Sequence, residues 1–110
     1  MYCYLKVKNK LVTQLREKRS FSNKPHEEFA SVGIYYFKDF GVFKKNGYRA
    51  LKDKKFIKEH KEIYASLPYI YLLNEQSNIL NFEVERFISL GTPKDYEEFI
   101  HWLNFFKKNG

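Results

Sequence analysis

The sequence predicts a mixed α/β fold, and three observations carry that prediction. The first seventeen residues alternate and break as a β-hairpin does, Ala30–Phe37 is a β-branched and aromatic run, and the residues from Thr92 onward carry the signals of an amphipathic helix. In order, Tyr2, Tyr4 and Leu5–Val7 read as a strand, Lys8-Asn9-Lys10 as a turn, and Leu11–Glu17 as a second strand with Leu11, Thr13 and Leu15 on one face. Residues 18–28 are polar, contain Pro25 and show no period, which predicts a loop. Ala30–Phe37 lacks alternation and suits a strand buried on both faces.

Asp39 can cap a short helix carrying Phe40 and Phe43, after which the pattern dissolves into a basic stretch. Ser66 reads as the N-cap of a helix to about Asn74, with Pro68 in its first turn and Tyr69, Ile70 and Leu73 as its apolar stripe. Leu80, Phe82 and Val84 alternate with Asn81, Glu83 and Glu85, which predicts a strand with one wet face over 79–85. The last element has the strongest start signal: Thr92 as cap, Pro93 at the first helical position and Asp95 three residues after the cap. Tyr96, Phe99, Ile100, Leu103 and Phe106 follow at helical spacing, and Lys107 and Lys108 complement the C-terminal dipole.

Composition limits the function classes. With 44% hydrophobic and 19% aromatic residues the chain is too apolar to be disordered, and its 110 residues have room for one small domain or part of a larger one. Cys3 is the single cysteine, so no internal disulfide supports the fold, and a lone thiol fits a reducing compartment. The start has no basic segment followed by an apolar core, and the longest apolar stretch, near 67–73, is broken by Pro68 and falls far short of the ~20 residues of a membrane span. A soluble cytoplasmic protein without a membrane partner is expected.

The net charge is +7, and residues 44–61 hold eight Lys or Arg against Asp53 and Glu59, a local +6. A basic, aromatic-rich chain also matches the composition of a nucleic-acid-binding module. Against that, the aromatics fall mostly at core positions, no RNA- or DNA-binding motif is present, and the basic run reads as a solvated connection. A non-catalytic interaction protein, completing its sheet against another polypeptide or a second copy, is the third reading. Catalytic signatures are scarce: there is no Gly-rich phosphate loop, no Cys-x-x-Cys, no His-Glu-x-x-His, and His26, His60 and His101 are not at metal-ligand spacing.

Three segments read together are more informative. Leu11-Val12-Thr13-Gln14-Leu15-Arg16-Glu17-Lys18, then Ser31-Val32-Gly33-Ile34-Tyr35-Tyr36-Phe37, then Glu83-Val84-Glu85-Arg86-Phe87-Ile88-Ser89-Leu90-Gly91-Thr92-Pro93-Lys94-Asp95-Tyr96 resemble, in order, the C-terminal half of the nucleotidyltransferase family. That family includes sugar-1-phosphate nucleotidylyltransferases and relatives in bacterial capsule and lipooligosaccharide synthesis. The resemblance runs from about Tyr4 to Trp102 and implies the C-terminal portion of a Rossmann-like mixed sheet with flanking helices, residues 1–110 forming a partial domain. It implies an activity that joins a nucleoside triphosphate to a phosphorylated acceptor with release of pyrophosphate.

The family's Gly-x-Gly-x-Arg nucleotide loop does not occur in these residues. The resemblance therefore implies the acceptor-binding half, inactive alone, as from a truncated gene, a split gene or an expressed fragment. It further implies that Glu17 bonds acceptor hydroxyls or an amine, that Lys18 faces the acceptor phosphate, that Ser31 reaches the acceptor, and that Gly33 lets the backbone come close to it. Magnesium is expected in the complete enzyme. Ser89 stands where sugar-specific members carry an Asp metal ligand, and a neutral hydroxyl is a poor ligand for a hard cation. Glu85 is the candidate replacement, and a phosphorylated amino alcohol or amide joins sugar phosphates as a candidate acceptor. A homo-oligomer is a further candidate state.

Overall fold

The computed structural model describes residues 2–110; Met1 and the side chain of His60 lie outside the described residues. The N-terminal hairpin forms as its pattern requires. Strand β1 (Cys3–Lys8) pairs antiparallel with β2 (Leu11–Glu17), placing Leu5 opposite Leu15 and Cys3 opposite Glu17. Asn9 and Lys10 close the turn at φ of 51° and 64°, the left-handed pair whose twist matches that of the flanking strands. A bulge between Lys6 and Val7 shifts the register near the tip.

A two-residue strand, β3 (Phe29–Ala30), adds to the other edge of β1, giving the order β2-β1-β3. The fold is thus mixed α/β around a small antiparallel sheet. The buried strand expected over Ala30–Phe37 does not form beyond Ala30, because Ser31 makes its last ladder bond, from its N–H to the Cys3 carbonyl at 2.8 Å. The Ser31 hydroxyl then accepts the Gly33 N–H at 3.1 Å, and Gly33 adopts φ +86°, which turns the chain off the sheet. Ile34 and Tyr36 consequently stand 82% and 81% exposed. Phe37 returns inward, stacked on Tyr69 with ring centroids 4.5 Å apart.

The basic stretch is helical rather than a loose connection. Asp39 caps α1 (Phe40–Lys52) by accepting the Gly41 N–H, and Asp53 both closes α1 and caps α2 (Lys54–His60) by accepting the Phe56 N–H at 3.0 Å. The Asp53 carboxylate also accepts the Tyr71 hydroxyl at 3.1 Å, and with the Phe56 N–H as the main cause its carboxyl is held below the usual aspartate range. Lysines are good helix formers with solvated heads, so a lysine-rich sequence with an intermittent apolar face can hide an amphipathic helix. Buried Asn46 and Ala50 mark the inward face of α1.

Helix α3 (Pro68–Asn74) begins with Leu67 as cap and Pro68 at its start. Ser66 is buried and its hydroxyl donates to Glu17 instead of capping. α3 packs on β2 and α1 packs on α3, around a small core of Cys3, Val12, Ala50, Leu67 and Tyr69. Arg49 of α1 reaches across to Glu75 just past α3 while its guanidinium lies over the Tyr71 ring at 4.6 Å.

The strand expected over 79–85 is reduced to a bridge between Leu11 and Leu80. It is held by Val12 N–H to the Ile79 carbonyl and by Asn81 N–H to the Lys10 carbonyl, both at 2.8 Å. Beyond it the alternating residues find no face to cover, and Phe82 is 89% exposed. The final helix, α4 (Pro93–Asn109), starts as its sequence predicts. Thr92 accepts the Asp95 N–H, and the Asp95 carboxylate accepts the Thr92 N–H, each at 3.1 Å, a complete capping box. No residue of α4 is buried.

Candidate functional site

The end of β2 is where the structure gathers polar groups. Glu17 is the last strand residue, and its carboxylate accepts the hydroxyl of buried Ser66 at 2.5 Å. Ser31, brought alongside by the β1–β3 pairing, donates its hydroxyl to the Tyr35 hydroxyl oxygen at 2.9 Å. The Tyr35 phenol in turn lies within bonding reach of Ser66. Glu17, Ser66, Tyr35, Ser31 and the Gly33 N–H therefore form one connected run of donors and acceptors over the start of β1.

Cys3 forms the floor of this cluster. Burial pushes its thiol up to about 12, and the Glu17 carboxylate beside it pushes the same way while the Ser66 and Tyr35 hydroxyls partly oppose. The thiol is accordingly protonated and unreactive at neutral pH. Burial raises the Tyr35 phenol above its ordinary value too, with the Ser31 hydroxyl opposing.

Lys18 sits just outside the strand at φ +55°, a left-handed conformation that interrupts the alternation of side chains after Glu17. Its N–H bonds the Tyr2 carbonyl at 2.9 Å, which holds the kink against the sheet. The ammonium then reaches Glu62 at 3.0 Å and lies over the Tyr64 ring at 4.7 Å. Tyr64 also donates its hydroxyl to the Glu62 carboxylate. Hydrogen bonding to Tyr64 and Glu62 raises the Lys18 ammonium to about 12, and the same two partners hold Glu62 below the usual glutamate range, Tyr64 first. The segment 62–67 thus braces both lobes: Glu62 and Tyr64 hold Lys18, and Ser66 holds Glu17.

Of the residues singled out from sequence, Glu17, Ser31 and Gly33 meet in one cluster. Lys18 adjoins it through the chain, with its head group in the neighbouring lobe. Glu85 and Ser89 fall on the stretch after the Leu80 bridge, where Phe87 between them meets the Tyr2 ring edge-on with centroids 6.4 Å apart. Glu85 is exposed in the extended stretch after the Leu80 bridge, and Ser89 donates its hydroxyl to Asp95 at 3.1 Å as part of the α4 cap. Among the described residues no group of three or more His, Cys, Asp or Glu side chains is placed to hold a metal ion.

The sequence pointed to neither Tyr35, Ser66, Glu62 nor Tyr64. Ser66 carried a local signal that fitted a helix cap, and Tyr35 one that fitted a buried strand; the long-range pairing of β1 with β3 brings Tyr35 to this end of the sheet, and the packing of α3 on β2 brings Ser66 to Glu17. Chemically, the cluster offers a carboxylate for hydroxyl or ammonium groups, hydroxyls that both donate and accept, and one mobile cation at its edge. No family model, no curated protein and no solved structure matches the chain.

Proposed function

We propose that the Glu17–Lys18 end of β2 and the Ser31–Gly33 turn bind a phosphorylated small molecule as the acceptor side of a nucleotidyltransferase-like site. The observation that supports this most is the meeting of Glu17, Ser31 and Gly33 in one hydroxyl-rich cluster, with the Lys18 ammonium at its rim. Lys18 exchanges its exposed ion pair with Glu62 for the acceptor phosphate, a small sacrifice because a solvated pair contributes little. Glu17 accepts from a hydroxyl or amine of the acceptor, and Ser31 completes its hydrogen bonding.

In the full reaction an acceptor phosphate oxygen attacks the α-phosphorus of a nucleoside triphosphate, a new phosphoanhydride bond forms, and pyrophosphate leaves. The triphosphate-binding loop is not in these residues, so the chain on its own binds acceptor without turnover. Magnesium, which no cluster of three or more acidic, His or Cys side chains among the described residues is placed to hold, would in the complete enzyme supply charge neutralisation at the phosphates. On this reading the hairpin and its helices belong to the C-terminal portion of a Rossmann-like sheet, and the pathway is the synthesis of surface polysaccharide.

The test is an amide NMR titration with glucose 1-phosphate, phosphoethanolamine and inorganic phosphate. Saturable shifts are expected at Glu17, Lys18, Ser31 and Gly33 for at least one organic phosphate, with about tenfold weaker binding in Lys18→Met. Glu17→Gln weakens the organic phosphates more than inorganic phosphate. Absence of shifts at these four residues at millimolar ligand sinks the proposal, as does steady pyrophosphate release by this chain alone.

A further inference from the structure

The chain leaves far more surface open than its mass requires. Its accessible area is 9335 Å², about 2,800 Å² above that of a folded monomer of the same mass. The radius of gyration is 16.8 Å, against about 13 Å for a compact domain of this length. A stable two-chain interface takes only about 800 Å² from each partner, and obligate ones take more, so the excess is of the size an obligate interface covers.

Two features contribute to the excess, and they complement each other. The first is the arm formed by residues 81–92 and α4, in which no residue of α4 is buried and Phe87 meets the body of the chain edge-on at the Tyr2 ring. It carries the apolar stripe Tyr96, Leu103 and Phe106, with Trp102 and Phe105 beside it, all substantially exposed. The second is an open depression of about 250 Å³ against α1, walled by Phe40, Phe43, Tyr48, Leu51 and Ile63 with almost no polar atoms. That volume accommodates one or two aromatic side chains, the anchoring unit of tight interfaces.

Charge selects the partner. The near part of the arm, residues 81–98, holds Glu83, Glu85, Asp95, Glu97 and Glu98 against Arg86 and Lys94, a net of −3. Helix α1, the main wall of the depression, carries Lys44, Lys45, Arg49 and Lys52 and no acidic residue, a net of +4. One copy of the chain therefore presents an acidic, aromatic arm, and another presents a basic, apolar groove that fits it. The extended residues 81–92 span up to about 40 Å, enough to reach a neighbouring molecule.

We infer that two copies of this chain form a two-fold symmetric dimer by exchanging arms, the aromatic stripe of each α4 seated in the α1 depression of the other. Such an exchange is isologous, so it closes on itself and covers both apolar surfaces at once. It also explains why α4 has a complete capping box yet no burial within its own chain: the helix is preformed and its partner face lies on the second copy.

Sedimentation equilibrium at about 100 µM is expected to give twice the 13.4 kDa chain mass. Phe106→Glu on the arm and Phe40→Glu in the depression each return the monomer, with unchanged far-ultraviolet circular dichroism because both side chains are exposed. Reversing Lys44 and Lys45 to Glu, or Glu97 and Glu98 to Lys, weakens the dimer about tenfold at low salt, and combining the reversals restores it. A monomer of the unaltered chain at that concentration, meaning that the surface folds back or belongs to a different polypeptide, overturns the inference. So does a dimer indifferent to Phe106→Glu, or combined reversals that fail to rescue.

Discussion

Cys3 ties the stability of the cluster to alkaline pH. Its folded-state value, about 12, lies above the ordinary 9.0, so the folded chain keeps a proton that the unfolded chain releases. This contribution is fully present below pH 9.0 and is lost as pH rises toward 12, and the buried phenols of Tyr35 and Tyr69, both raised, act in the same direction. The urea midpoint is therefore expected to fall between pH 8.5 and 11. Cys3→Ala should flatten that fall, and an unaltered slope in the variant would assign it to the tyrosines. Ser66→Ala removes the donor that satisfies Glu17 in a half-buried setting and should cost about 1–2 kcal/mol by the same measurement. Removal of Leu67 is more severe: the side chain has no exposed surface in a core this small, and Leu67→Ala is expected to cost about 3 kcal/mol or to leave the chain unfolded at 37 °C.

At the scale of elements, α4 depends on its cap. Thr92→Ala should cost about 1 kcal/mol of helix stability, seen as weakened helical Cα shifts over 93–98. The Asp95 carboxyl is held low by Thr92 and Ser89, so the cap's contribution is present above the ordinary value of 3.8 and fades as pH falls below it. The same shifts should therefore weaken in acid in the parent chain and stay pH-independent there in Asp95→Asn. This start was legible in the sequence because a capping box is written within four residues and needs nothing distant. The hairpin was legible for a similar reason, its turn being set by Asn9 and Lys10. Ala30–Phe37 was not, since its residue types favour a strand while Ser31 and Gly33 fix a turn whose consequence appears only once β1 is in place. Helices α1 and α2 were obscured by lysines, whose charge drew attention away from the spacing of Phe40, Phe43, Asn46, Gly47 and Ala50. At the candidate site, Glu17 and Ser31 were legible as residues, while the segment 62–67 that holds them was not, because its contacts span some fifty positions of sequence.

For the whole molecule, the local +6 lies on helices, and part of it is already engaged, Arg49 with Glu75 and the Tyr71 ring. A single-stranded oligonucleotide is expected to bind at low salt and to be released by about 150 mM salt, read by fluorescence anisotropy. Retention above that concentration would establish a nucleic-acid surface. The two 2.8 Å bonds between the hairpin tip and residues 79–81 give the chain a different kind of order. They join Val12 to Ile79 and turn everything between into a ring, with residues 82–110 as its tail. Closing so long a loop costs chain entropy that grows only logarithmically with length, so the clasp can be made late in folding by a few bonds. A cut in the tail leaves the ring shut. Brief chymotrypsin treatment should accordingly cleave first at Phe82 or Phe87 and release a hairpin-and-helix ring that resists further digestion, while a nick at Tyr36 leaves both fragments held by the same clasp.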